Sequence, residues 1–193
     1  MIEVLSGLGL AAAAGVNAYV PMIVLGLFVR YTSVLDMPAQ WTWLGNGWVL
    51  VALLALLLVE LVTDKIPVLD HLNDLVHTLV RPVAGGVVFA AIAARGEPDT
   101  ATAGPLVATF AAGLVLALAV HIAKAAGRAV VNRSTRGAGA PVLSTVEDLC
   151  ALLIALVAIL APVLMVLVVA GGSALAVWIV RQRRQGLLST GYP

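Results

Sequence analysis

Two rows of polar side chains interrupt a chain that is otherwise apolar. Asp70, Asp74, His77 and Arg81 recur at i, i+4, i+7 and i+11, and His121, Lys124, Arg128 and Asn132 at i, i+3, i+7 and i+11. Either spacing brings four side chains to one face of an α-helix. Carboxylates and imidazoles on one face can relay protons or ligate a divalent metal. A row of cations can attract an anionic solute, or it can simply snorkel to anionic headgroups. Ionisable groups at membrane depth are expensive, and they usually face a bundle interior or a water-filled path.

Further candidates lie outside the rows. Glu60 sits among Leu58, Val59, Leu61 and Val62, one turn before Asp64. The two acids could form half of a carboxylate site, or Asp64 and Lys65 could simply end a helix at the interface. An acid as deep as Glu60 could exchange protons, as could His121 at the matching depth. His71, Asp74 and His77 could hold a metal with Glu60 or His121. No HExxH or paired-cysteine motif accompanies them, so a hydrogen-bonded network between helices is the plainer reading and any metal stays unassigned. Asn17 and Tyr19 fall inside an apolar run beside Pro21, which frees a backbone carbonyl, as in helices broken to line a cavity. The blander reading there is a single interhelical hydrogen bond. Ser144 and Glu147 have capping-box spacing, and Asp148 follows. Cys150 stands alone in an apolar run, so no intrachain disulfide exists.

These residues must be positioned by helices in a bilayer. Of 193 residues, 62% are hydrophobic and 11% charged, with a mean hydropathy of +1.07. A soluble domain carries about 25% charged residues. The composition therefore reads as an all-α integral membrane protein. A net charge of +1 gives no reason to expect nucleic acid as a partner. No cofactor is expected; the expected partners are the lipid bilayer and a small solute or ion. Met1-Ile2-Glu3 lacks the basic start of a signal peptide, so the first apolar run reads as an uncleaved helix.

The apolar runs predict a bundle of six transmembrane helices, with five as the alternative. Helix 1 is expected over residues 8–29, kinked at Pro21. Helix 2 covers 48–63, and helix 3 begins after Pro67 and kinks at Pro82. Helix 4 covers 105–131 and is followed by a basic loop over 132–140. The run from 144 to 180 exceeds the roughly 20 residues of one span. A break at Ala161-Pro162 gives helix 5 over 144–160 and helix 6 over 162–180. Residues 1–184 then form one transmembrane domain, with 185–193 a disordered tail. Six crossings place Lys65, Lys124, Arg128, Arg133, Arg136, Arg181, Arg183 and Arg184 on one side, and only Arg30 and Arg95 on the other. The positive-inside rule then predicts cytoplasmic termini in a bacterial inner membrane. Trp41, Trp43 and Trp48 mark the opposite interface.

Pro67-Val-Leu-Asp-His-Leu-Asn-Asp-Leu75 parallels Pro141-Val-Leu-Ser-Thr-Val-Glu-Asp-Leu149, which suggests an internal repeat of 48–95 on 105–183. Repeats in membrane proteins often place a site at their interface. Chance is the competing explanation in a chain so rich in Leu and Val.

Certain strings also resemble a known family. Gly15-Val-Asn-Ala-Tyr-Val-Pro21, Val59-Glu-Leu-Val-Thr-Asp-Lys-Ile-Pro67 with Asp70-His71, and Ser144-Thr-Val-Glu-Asp148 are similar to the bacterial membrane family called Domain of Unknown Function 4126. The resemblance spans about residues 5 to 183 and implies an integral membrane protein without a catalytic assignment. The residues themselves point first to a transporter or channel for an ion or small polar solute. Its pathway would be drawn from Asn17, Tyr19, Glu60, Asp64, Asp70, His71, Asp74, His77, Arg81, His121, Lys124, Arg128, Glu147 and Asp148. A non-catalytic scaffold or assembly factor is the alternative, and an enzyme acting on a lipid headgroup the second; a homodimer fits any of these.

Overall fold

A computed structural model describes the backbone of residues 1–63, 67–96, 103–136, 138–168, 170–171, 178 and 181, and the side chains of the same residues apart from 67–75 and 103. The described residues are mostly helical, and none of them is in a strand. They form α1 (Ile2–Val16), α2 (Tyr19–Tyr31), α3 (Gly47–Thr63), α4 (Pro67–Ala93), α5 (Ala103–Thr135) and α6 (Ala140–Leu160). Short 3₁₀ turns at Ala39–Gly45 and Pro162–Leu164 precede α3 and follow α6.

The first helix expected from the sequence is two helices. The break falls at Asn17, whose backbone is extended (φ −143°, ψ 122°). Its side-chain Oδ1 accepts the N–H groups of Tyr19 and Val20 at 3.0 and 3.1 Å. That is the bonding of an N-cap, so one residue ends α1 and starts α2. Pro21 then sits in the first turn of α2, where its missing N–H breaks nothing further along. The expected kink at Pro21 is thus a full break four residues earlier.

The chain also reverses there. At the start of α1, Glu3 lies against Gly96, and Gly7 meets Phe89. At its end Gly15 packs on Ala117 and Val120 of α5. The start of α2 places the Tyr19 ring on His77. Just beyond the end of α2, the carbonyls of Val34 and Asp36 accept hydrogen bonds from Arg95. Both ends of the α1–α2 pair therefore lie beside Arg95–Gly96, and the tip at Asn17 reaches the level of His77. It is an antiparallel helical hairpin. Each arm is about 20 Å long at 1.5 Å per residue.

α1 is the central element, packed on α4, α5 and α6. Its buried residues are mostly small: Ser6, Gly7, Gly9, Ala11, Ala13, Ala14 and Gly15, with Leu10. Small side chains let helix backbones approach closely without the hydrophobic drive that water supplies. The same device joins α4 to α5, where a Cβ added to Gly113 would strike the carbonyl oxygen of Gly85. α3 is peripheral. It buries Leu50, Leu53 and Glu60 and exposes Val51, Leu54, Leu58, Val59 and Val62.

Three segments are long and apolar enough to cross a membrane by length and composition: Val76–Ala93, Gly104–Thr135 and Ala140–Leu160. The pair Ala39–Gly45 and Gly47–Thr63, bent by 52°, makes a fourth if it is taken as one span. α4 runs from Pro67 to Ala93 as one helix with Pro82 inside it. α5 continues to Thr135, and α6 begins at Ala140, so the basic loop is shorter than the sequence suggested. Ser144 is consequently interior to α6 and buried rather than a cap. The break at Ala161-Pro162 is present; of the sixth expected helix, residues 162–168, 170–171 and 178 are described and are helical, and its other positions, like the tail, lie outside the described residues.

The hairpin predicts a proximity that a single crossing forbids. In a Cys150→Ala background, Glu3→Cys with Gly96→Cys should form a disulfide on mild oxidation, seen as a shift in non-reducing electrophoresis. A continuous first span would hold the two thiols on opposite sides, and no cross-link would form.

Candidate functional site

The hairpin tip gathers two polar clusters. The deeper one is centred on Arg81, whose side chain is fully enclosed. α4 aims Arg81 between α3 and α5. Its Nη2 donates to Glu60 Oε1 at 2.9 Å, and Nη1 lies 2.8 Å from His121 Nδ1. Glu60 and His121 are buried as well. A guanidinium only donates, so His121 Nδ1 must be the acceptor. That fixes the imidazole as the neutral tautomer with its proton on Nε2, where Thr78 Oγ1 stands at 3.2 Å. His77, one turn before Arg81, holds Nδ1 3.7 Å from the same Glu60 oxygen. The Tyr19 ring meets His77 edge to face, with centroids 5.7 Å apart. The cluster thus joins α2, α3, α4 and α5 at one level.

The second cluster lies one turn along α5. Lys124 Nζ donates to the Val16 carbonyl at 2.7 Å and stands 3.3 Å from Glu147 Oε2. Arg128 grips that carboxylate through Nε at 2.8 Å and through Nη2. Asn17 Nδ2 donates to Asp148 Oδ1 at 2.9 Å. α5 and α6 are therefore clamped across Glu147, and the hairpin tip is tied to both helices. Lys124 and Arg128 thus converge on one carboxylate. Charge-assisted bonds of this kind are about twice as strong as neutral ones.

Ten of the fourteen expected pathway residues fall in these clusters: Asn17, Tyr19, Glu60, His77, Arg81, His121, Lys124, Arg128, Glu147 and Asp148. Asp64, Asp70, His71 and Asp74 lie outside the described side chains. The cationic row pairs with Glu147 of α6. Among the described residues no three His, Cys, Asp or Glu side chains gather as a metal centre. Thr78 and the Val16 carbonyl were missed by the sequence reading. The signal for the latter was present: asparagine is a preferred cap, and Asn17 precedes Pro21 by one turn.

An apolar groove of about 340 Å³ runs beside the tip between α2, α3 and α6. Val24, Leu27, Leu57 and Leu152 line it, and Asp148 with Thr145 stands at one end. Glu60, Arg81 and His121 do not line it.

A buried ion pair is costly to break and often neutral to replace whole. Arg81→Leu should therefore lose about 3–5 kcal/mol of stability in detergent, by leaving Glu60 uncompensated. Glu60→Leu combined with Arg81→Leu should recover most of the loss in chemical or thermal unfolding. Additive losses would mean that the two side chains do not interact.

No curated protein and no solved structure matches the chain. Residues 4–182 match the family described as Domain of unknown function (DUF4126), over nearly the whole length of the chain. The break at Asn17 and the clusters of Glu60 and of Glu147-Asp148 all fall within that match, and with it the chain belongs to the DUF4126 family.

Proposed function

We propose that this chain is a multi-pass protein of a bacterial inner membrane, and that it passes a proton, ion or small polar solute through the level of the hairpin tip. The observation that carries the reading is the burial of Arg81, Glu60, His77 and His121 where four helices meet the tip. Holding helices together does not require charge, since apolar residues of similar volume usually do so as well or better. Ionisable groups kept at such depth are the usual mark of a pathway. A broken helix whose ends point at the same level is the second element of that pattern.

The hairpin alters the orientation this reading carries. The start of α1, Arg30 and Arg95 share one end of the bundle; Lys124, Arg128, Arg133 and Arg136 lie toward the other. The positive-inside rule then turns the polar clusters toward the cytoplasm. It turns the start of α1 outward, where the sequence alone suggested a cytoplasmic start. The six crossings read from the sequence counted residues 8–29 as one crossing; the hairpin replaces that crossing with two short arms.

A specific observation favours a second reading, a non-catalytic scaffold. The deep cluster is closed and mutually bonded, away from the groove. Flux separates the two. His121→Gln keeps an acceptor for Arg81 and a donor for Thr78 but cannot titrate. In reconstituted vesicles it should cut proton-coupled flux on the order of a hundredfold, the loss typical of removing a positioned proton-transfer group, while the protein still elutes as one folded species. Wild-type vesicles silent to a broad panel of ions and small solutes would leave the scaffold reading standing.

A further inference from the structure

The C-terminal end of α1 holds a cation that belongs to the protein itself. In a continuous helix the Val20 N–H would bond the Val16 carbonyl. Here it bonds Asn17 Oδ1 instead, so the Val16 carbonyl has no helical donor. That carbonyl also lies at the negative end of the α1 dipole. Lys124 reaches across from α5 and places its ammonium 2.7 Å from this oxygen and 3.3 Å from Glu147. Its side chain is 5% exposed. Lysine is a compact point charge on a flexible stem, the side chain closest to a free ion.

The carboxylate sharpens the point. Lys124 and Arg128 both reach Glu147. Taking the ammonium away leaves that carboxylate with one cation fewer, beside a helix-end carbonyl that has lost its donor. Such carbonyls, with a nearby acid, are the groups that coordinate sodium at broken membrane helices. Hard cations take oxygen ligands of this kind. Arg128 stays on Glu147 and disfavours a second positive charge, which selects a monovalent ion.

We propose that the C-terminal end of α1 is a binding site for a monovalent metal cation, walled by the Val16 carbonyl and the Glu147 carboxylate, and that the Lys124 ammonium is its occupant in this conformation. Lysine and a free cation compete for the same oxygens. Cation entry is therefore tied to withdrawal of Lys124, and with it to release of the hairpin tip from α5. The site stands on its own geometry, whether or not any solute crosses the protein.

Lys124→Met removes the charge and keeps the stem. Its thermal unfolding in detergent should be compared in sodium, potassium and choline chloride at equal ionic strength. Sodium or potassium should raise the midpoint saturably, by about 5 °C relative to choline, while wild type is indifferent to the choice of salt. Adding Glu147→Gln to Lys124→Met should abolish the difference, because it removes the carboxylate that walls the site. Equal midpoints for Lys124→Met in all three salts would overturn the proposal. If Lys124→Met does not fold, Lys124→Gln is read in the same way. Recovery of either variant only when sodium or potassium is present during purification would support the site, and failure of both in every salt would refute it.

Discussion

Reversing a chain inside an apolar bundle strands peptide groups where no water can reach them. The turn at Asn17 does this at the level of His77, and the polar residues around it answer that constraint. Asn17 itself satisfies the first donors of α2, while Lys124 takes the last carbonyl of α1. Asp148 and Glu147 then balance what Asn17 and Lys124 bring. The deep cluster of Arg81 sits directly behind, sharing α5 and touching the tip through Tyr19 and His77. Remove the reversal, and Asn17 loses the α2 donors it caps while Lys124 loses the Val16 carbonyl.

Small residues make the reversal geometrically feasible. α1 is buried on several sides because glycine and alanine let α4, α5 and α6 come close to it. Gly85 and Gly113 do the same between α4 and α5, which are thereby held at the spacing that lets Arg81 reach His121. Packing of the small-residue core and pairing of the charges depend on one another. A longer side chain at Gly113 would separate the helices that carry the two partners.

Much of this was legible in the residues, and the misses have physical causes. Hydropathy located the apolar helices, and the break before Pro162 followed from span length. Helical periodicity found five of the ten clustered side chains, His77, Arg81, His121, Lys124 and Arg128, since a face of a helix is a local property; the other five stood out as polar residues in or beside apolar runs. The hairpin was misread because an uninterrupted apolar run looks alike whether the chain continues or turns back; only the Asn17 cap distinguishes the two. Which acids meet which bases was open, because complementary charge allows either Asp74 or Glu147 to face Arg128. Long-range pairing is set by helix packing, which sequence spacing does not encode. Ser144 shows the opposite error: a spacing that fits a cap lies within a helix that had already begun at Ala140.

The bond between Asn17 and Asp148 spans 131 residues. A ribosome adding about 5–20 residues per second needs several seconds or more to cover that interval. During that time the two short arms already exist, each shorter than the roughly 30 Å hydrocarbon core, and their tip has none of the partners that α5 and α6 will bring. The nascent hairpin therefore has to wait with its apex at a wet place, at the membrane surface or within the insertion machinery. The last helices to be made complete the first turn of the chain.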